Sequence, residues 1–207
     1  MKLIIFGSTG TIGRQLVDQT LAQGRRVTAF AREPSAIELN HPHLSRHAGD
    51  VFDRSAVMDA VAGHDAALIA LGAGRKGTVR SVGTRHVIDA MERHGVRRLV
   101  CLSTLGAGDS HDLLNFFWKR IMFGLLLRDA AADHEAQEGF VERSALDWTL
   151  VRPGSFTDGP ATGAYRHGFP PTEKALKLKI PRADVAGFML RQLSDDTYLR
   201  QAPGLSC

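Results

Sequence analysis

Three groups of residues in this sequence have the types and spacing for chemistry. The first is Gly7-Ser8-Thr9-Gly10-Thr11-Ile12-Gly13, which directly follows the apolar run Leu-Ile-Ile-Phe. It opens an amphipathic stretch with Ile12, Leu16, Val17 and Leu21 on one side. A strand, a glycine turn and a helix in that order form a cradle for a diphosphate. Gly7 permits the tight turn, Gly10 lets backbone approach the phosphates, and Gly13 lets the helix close on the sheet. The free N–H groups and dipole of the helix start then stabilise the negative charge. A glycine turn that holds no ligand is the other reading of these residues.

The second group follows the next apolar run, which ends Ala29-Phe30-Ala31-Arg32. A carboxylate at this point would hold an adenosine ribose. The Arg32 guanidinium would instead bind two oxygens of a 2′-phosphate. Arg14, early in the first helical stretch, could add charge from the other side. NADP(H) is therefore the expected cofactor, with NAD(H) as the alternative; two solvated surface arginines are the bland reading. In the third group, Gly49-Asp50-Val51 and Leu71-Gly72-Ala73-Gly74 follow two further apolar runs. Open α/β sheets bind ligands at these carboxyl ends of strands. Asp50 either accepts from an adenine amino group or caps a helix or turn.

These groups need rigid elements to hold them, and the hydrophobic pattern supplies candidates. Strands are expected at 2–6, 26–30, 45–48, 66–71, 98–103 and 148–152. Helices are expected at 11–23, 54–61, 79–94 and 112–143, the last breaking at Gly124 or near Arg128. Runs that are apolar throughout suit strands covered on both faces, and their alternation with helices suits right-handed βαβ units. The expected class is α/β, a doubly wound parallel sheet of the Rossmann type. The C-terminal quarter is loop-rich, with a short alternating run at 175–180 and a final helix at 182–193 that has Asp184 in its first turn. Residues 1–207 are expected to form a single NAD(P)-binding domain, with about 154–207 as a short C-terminal extension completing the substrate side.

Composition narrows the classes further. The 21 glycines have no period and the 8 prolines are unremarkable, which excludes collagenous and disordered chains. Lys and Arg number 26 against 22 Asp and Glu, a net charge of +4. So small an excess, spread along the chain, favours a phosphate-bearing small ligand over nucleic acid. Two distant cysteines, Cys101 and Cys207, argue against a disulfide framework or zinc site and for a reducing cytoplasm. His41, His43 and His47 surround a proline with no carboxylate or thiolate at ligand spacing, so no metal is expected. Only four apolar residues follow Met1-Lys2 before Gly7, too few for a secretory signal core. The greasiest stretch, 113–127, is broken by Asn115, Lys119 and Arg120 and falls short of a transmembrane segment. It reads as a core helix, a wall or lid of a pocket, an oligomer face, or a membrane-surface helix. A monomer or homodimer is expected.

Together these residues resemble the atypical short-chain dehydrogenase/reductase superfamily, in particular its NmrA-like NAD(P)H-binding branch. The matching pieces are the glycine run 7–13, Gly49-Asp50-Val51, and His94-Gly95-Val96 leading into Val100-Cys101-Leu102-Ser103-Thr104. Ser144 to Trp148 and Val151-Arg152-Pro153-Gly154 match as well. Within that branch the chain is most similar to the small flavin reductase/biliverdin-IXβ reductase group. Asp133-His134, Thr162-Gly163-Ala164-Tyr165 and Phe188-Met189-Leu190-Arg191 carry that likeness. The resemblance implies that Thr9, Gly10, Thr11 and Ile12 cradle the pyrophosphate and that Arg32 binds the 2′-phosphate. Asp50 and Val51 would lie by the adenine, and Leu71, Gly72 and Ala73 along the ribose. Ser103 and Thr104 would face the nicotinamide, with Pro153, Gly154 and Phe156 closing over it. The Thr104 position carries a hydroxyl proposed to help donate a proton, and His134 aligns with a histidine at the pocket. Where this chain has Ser155 the group has histidine, so acceptor contacts there need not be the same.

The superfamily's usual acid is Tyr-x-x-x-Lys, in which lysine lowers the tyrosine pKa. Phe169 stands four residues after Tyr165, and Ala202 four after Tyr198, so neither tyrosine fits. Where the pair would sit, this chain has Ala130 and His134. Hydride transfer to an acceptor that needs little acid catalysis remains, with proximity supplying much of the rate. His134 is then a candidate proton donor near neutral pH, with Thr104 to orient it or a water; a surface or capping histidine is the plain alternative. The expected function is an NADPH-dependent reductase of a small aromatic or conjugated acceptor, flavin- or quinone-like. A non-catalytic NADP(H)-binding sensor or regulator of the NmrA-like type is the alternative. A nucleotide-sugar epimerase or dehydratase would need the missing dyad and a larger C-terminal region.

Overall fold

Strands with apolar residues on both faces leave water only when helices cover both sides. In the computed structural model, which describes residues 1–72, 77–113, 126–170, 172–173 and 175–207, the chain meets that requirement. In chain order the elements are β1 (Lys2–Phe6), α1 (Thr11–Ala22), β2 (Arg26–Ala31), β3 (Leu44–Ala48), α2 (Arg54–Val61), β4 (Ala66–Ile69), α3 (Val79–His94) and β5 (Arg98–Leu102). Then come α4 (Arg128–Arg143), β6 (Asp147–Pro153), β7 (Ser155–Thr157), β8 (Arg166–His167), β9 (Lys179–Pro181), α5 (Arg182–Arg191) and β10 (Gly204–Ser206). The main sheet has the order β3-β2-β1-β4-β5-β6-β10-β8. All its neighbours pair in parallel except β10 with β8. The chain reverses direction across the sheet between β1 and β4, the switch point at which such sheets open a crevice.

Both faces are covered. Leu16 and Val17 of α1 join Val185, Phe188 and Met189 of α5 in one apolar cluster. Val57 of α2, Val87 and Met91 of α3 and Val141 of α4 belong to the other. The helices at 54–61 and 79–94 run as expected, and the six expected strands differ only at their ends.

Three expectations change. In the helical stretch at 112–143 a helix begins at Arg128, where a break was expected, but the start of the stretch belongs to a 3₁₀ turn at Gly108–Leu113. Most of the apolar segment 113–127 lies outside the described residues. The alternating run at 175–180 forms a strand only from Lys179, because Leu178 has φ 54°, which breaks an extended chain. The end of the chain adds β10 beside β6, with Leu205 opposite Pro153, and Leu205 is fully buried. Part of the C-terminal quarter thus completes the sheet and core, while β7 pairs with β9 in a small ribbon at the edge of the cleft described below.

The tightest contact in the fold joins α1 to β1. A β-carbon at Gly13 would fall 2.1 Å from the Gly7 carbonyl oxygen, and one at Gly7 2.4 Å from the Ala70 oxygen. Neither neighbour is a side chain that can swing away. Gly13→Ala gains about 1 kcal/mol in helix propensity. It forces an overpacking cost near the upper end of about 1–3 kcal/mol. The expected outcome is a net loss of about 2 kcal/mol, read as a lowered midpoint in urea unfolding with an unchanged slope.

Candidate active site

A cleft of about 480 Å³ runs along the carboxyl ends of the strands. At its centre the chain leaves β1 through Gly7, at φ 80°, and enters α1. The amide of Gly10 donates to the Gly7 carbonyl at 3.0 Å, closing the turn. No side chain caps α1, whose N-cap is Gly10, and its first turn contains no acidic residue. Its first amides are therefore left for an anion. Helices α2 and α3 differ: Asp53 accepts from the amides of Ser55 and Ala56, and Asp133 from those of Arg80 and Ser81. Ser8 is turned inward, its hydroxyl donating to the Phe30 carbonyl at 3.0 Å. Thr9, Gly10, Thr11 and Ile12 line the cleft, whereas Gly13 serves the helix–strand contact beneath it.

Arg32 lies at the end of β2, exposed, and lines the cleft with no hydrogen-bond or ion-pair partner among the described residues. Arg14 is not a lining residue; its Nε donates to the Thr9 carbonyl at 3.1 Å and so braces the glycine loop. Asp50, Val51, Leu71 and Gly72 line the same cleft, and Ala73 lies outside the described residues. Asp50 caps a turn, accepting from the Phe52 amide at 3.0 Å. Its other oxygen has no partner among the described residues, so the carboxylate keeps acceptor capacity.

At the opposite end stand Leu102, His134 and Phe156. Ser103 continues from β5, is 3% exposed, and places its hydroxyl 3.4 Å from His134 Nδ1. Its amide donates to the Val151 carbonyl, and the Thr104 hydroxyl donates to the Leu105 carbonyl. Ser103, Thr104, Pro153 and Gly154 adjoin this end of the cleft without being among its lining residues. Pro153 pairs with Leu205 in the sheet, and Gly154 packs so closely on Leu178 that a β-carbon would lie 2.7 Å from its backbone.

His134 differs from expectation in its charge. Burial, and next the Arg80 cation, push its pKa down to about 4, against the opposing pull of Asp133 and Gln137. At neutral pH it is a neutral imidazole, which donates or accepts one hydrogen bond per ring nitrogen but holds no surplus proton. Both tyrosines are engaged away from the cleft: Tyr165 OH accepts from Arg191 at 2.9 Å, and Tyr198 OH bonds His167 Nδ1 at 2.8 Å. Behind His134, α4 is held by charge. Arg152 on β6 donates to both Glu138 oxygens at 2.9 and 2.8 Å and also bonds Asp109. Among the described residues, no group of three His, Cys, Asp or Glu side chains is placed to hold a metal, and no helix is long and apolar enough to cross a membrane.

Reasoning from sequence missed Phe52, Val79 and Arg80, all on the cleft wall. Phe52 follows Asp50-Val51 directly, so the strand-end rule extended by one residue would have found it. Arg80 carries no such signal, since it reads as one of many helix-face arginines.

Comparison with known proteins agrees with this geometry. Residues 7–196 match the model of the NAD(P)H-binding family, and the chain belongs to that family. Its fold and motifs are those of the atypical short-chain dehydrogenase/reductases. It is 30% identical over 205 residues to UPF0659 protein YMR090W of Saccharomyces cerevisiae, covering 93% of this chain and 87% of that protein. It is 36% identical over 178 residues to sterol demethylase protein B of Methylococcus capsulatus, covering 77% of this chain but only 52% of that longer protein. Among solved structures, ChuY, an anaerobillin reductase from Escherichia coli O157:H7, superposes with a TM-score of 0.81 at 26% identity, covering 100% of this chain and 97% of that one.

The low pKa of His134 has a sign that can be checked. Its folded value lies below the ordinary 6.5, so the unfolded chain takes up the proton first as pH falls. Stability contributed by the neutral ring is present above about pH 6.5 and is lost progressively toward pH 4. His134→Gln is expected to flatten this part of the stability–pH curve, measured by urea midpoints at a series of pH values. An unchanged curve would show that the ring titrates normally.

Proposed function

We propose that this chain is an NADPH-dependent oxidoreductase that passes hydride to a small aromatic or conjugated acceptor such as a flavin or quinone. The observation that carries this reading is the single cleft joining an uncapped, glycine-lined helix start to a corner formed by Leu102, His134 and Phe156. The residues fit a dinucleotide: Gly7, Gly10, Thr11 and Ile12 offer backbone to the diphosphate, and unpaired Arg32 offers its fork to a 2′-phosphate. NADPH, when bound, supplies the hydride.

The chain's own part is mostly positioning. Leu102 and Phe156 give the acceptor apolar contact, with Arg182 stacked over the Phe156 ring at 5.5 Å. Neutral His134, next to the Ser103 hydroxyl, can hold a hydrogen bond to the acceptor but is not a charged acid at neutral pH. This arrangement favours acceptors whose reduced form takes its proton from solvent, and disfavours simple ketones, for which a strong acid is needed. Reduction of a conjugated acceptor is also the activity named for ChuY, which supports the reading. The free thiols of Cys101 and Cys207 support a cytoplasmic location. A second reading, a non-catalytic NADP(H)-binding sensor, draws on the absence of any tyrosine at the cleft.

Consumption of NADPH with FMN, riboflavin and menadione, followed by loss of nicotinamide absorbance, decides between them. Turnover with at least one acceptor is expected; background rates across the panel, with tight NADPH binding, would leave the sensor. Arg32→Ala is expected to raise the NADPH dissociation constant about tenfold or more and to move that for NADH by about twofold or less. Equal losses for both dinucleotides would sink the assignment of Arg32 to the 2′-phosphate.

A further inference from the structure

Arg80, in the first turn of α3, is a cation that neither the diphosphate cradle nor hydride transfer uses. It is only 9% exposed, yet it forms part of the cleft wall. Among the described residues its guanidinium makes one hydrogen bond, to Asp133 Oδ2 at a long 3.4 Å. The Asp133 carboxylate is committed elsewhere. It accepts from the Arg80 amide at 3.1 Å, the Ser81 amide at 2.9 Å and the Ser81 hydroxyl at 2.6 Å, capping α3. A guanidinium has five N–H donors, so most of this one remains unused. None of its nitrogens is a buried atom lacking a partner, so the unused donors reach the cleft surface.

Position decides which anion this fork meets. Arg80 bonds Asp133, the neighbour of His134 on α4, and lines the cleft together with His134, and so belongs to the Leu102–His134 end. Arg32 directly follows β2, and β1 and β4 lie between β2 and β5, so Arg32 and the Leu102–His134 corner stand on opposite sides of the α1 start. Three strand spacings, about 14 Å, separate β2 from β5. The uncapped start of α1 follows β1, between them, and already answers the diphosphate. What remains beside Arg80 is the molecule that enters to be reduced.

We propose that Arg80 is the acceptor's anion-recognition residue: its guanidinium fork binds a carboxylate or phosphate carried by the conjugated acceptor, next to the reacting end. The identity of the entering molecule as an acceptor rests on the reductase reading above; the binding of an anion at Arg80 does not. The inference narrows the substrate class from conjugated acceptors in general to those bearing an acidic group close to the ring system. Asp133 and the buried wall make the preference strong, because a planar fork held in a partly dry cleft loses little on meeting a planar anion.

The test uses the NADP⁺-loaded protein and three probes of matched shape: 2-naphthoate, 2-naphthamide and 2-naphthyl phosphate, titrated by calorimetry. Wild type is expected to bind the acid or the phosphate about tenfold or more tightly than the amide. The tighter of the two identifies the group. Arg80→Met is expected to abolish the preference. Arg80→Lys, which keeps the charge without the fork, should retain part of it, and gives the readout should the methionine variant fail to fold. Equal binding of acid and amide by wild type overturns the proposal, as does a preference that survives in folded R80M. A tenfold loss of NADP⁺ affinity in R80M without any probe would assign the guanidinium to the cofactor and overturn it too. Failure of wild type to turn over any acceptor would overturn the reductase reading while leaving the comparison of acid with amide readable.

Discussion

At Gly13 the first turn of α1 comes so near the end of β1 that a β-carbon would sit 2.1 Å from the Gly7 carbonyl oxygen, and one at Gly7 would sit 2.4 Å from the oxygen of Ala70, just past β4. Backbone therefore meets backbone at the centre of the sheet. This approach turns Ser8 inward onto β2, leaves the start of α1 without a side-chain cap, and opens its amides on the cleft. The rest of the site is arranged around that gap. An arginine without a partner among the described residues lies to one side, just past β2, and an apolar corner with a histidine lies to the other, beyond β4. The charge to be placed in the centre is defined by what the helix start lacks.

The second constraint is the seating of α4. Asp133 and Glu138 lie on one helix and are both almost fully buried. The first accepts from the start of α3, and the second forms a two-bond pair with Arg152 on β6. Removing one partner of such a contact leaves a buried charge uncompensated, so these contacts fix where α4 sits even if their net stabilisation is small. His134 and Gln137 lie between the two anchors, which gives the imidazole a fixed address beside Ser103. Burial there, and next the Arg80 charge, hold it neutral.

Much of this was legible along the chain, and the reason differs by feature. The glycine run, the apolar strands and the helices at 54–61 and 79–94 depend on spacing within a few residues, and periodicity reports such spacing. Strands β7, β8 and β10 have two or three residues each, too few to show any period. The alternating run before α5 is a strand only from Lys179, because Leu178 adopts a left-handed conformation that nothing in its neighbours announces. Ser103, Thr104, Pro153 and Gly154 were expected on the wall by resemblance. Pro153 and Gly154 are fixed by pairing with β10 and by contact with Leu178, partners from the far end of the chain that no local pattern announces.

The sequence by itself determined the fold class, the glycine turn from β1 into α1 and the arginine that follows β2. Each follows from local stereochemistry: where a β-carbon is absent, where a strand stops, where a helix begins. Only the tertiary structure decided the charge of His134 and the part played by Arg80. Both depend on burial and on the meeting of α3 with α4, whose contacting residues stand 52 and 53 positions apart. A pKa is set by every charge and every displaced water around a group. Those neighbours are assembled by folding, so no reading of adjacent residues could have supplied them.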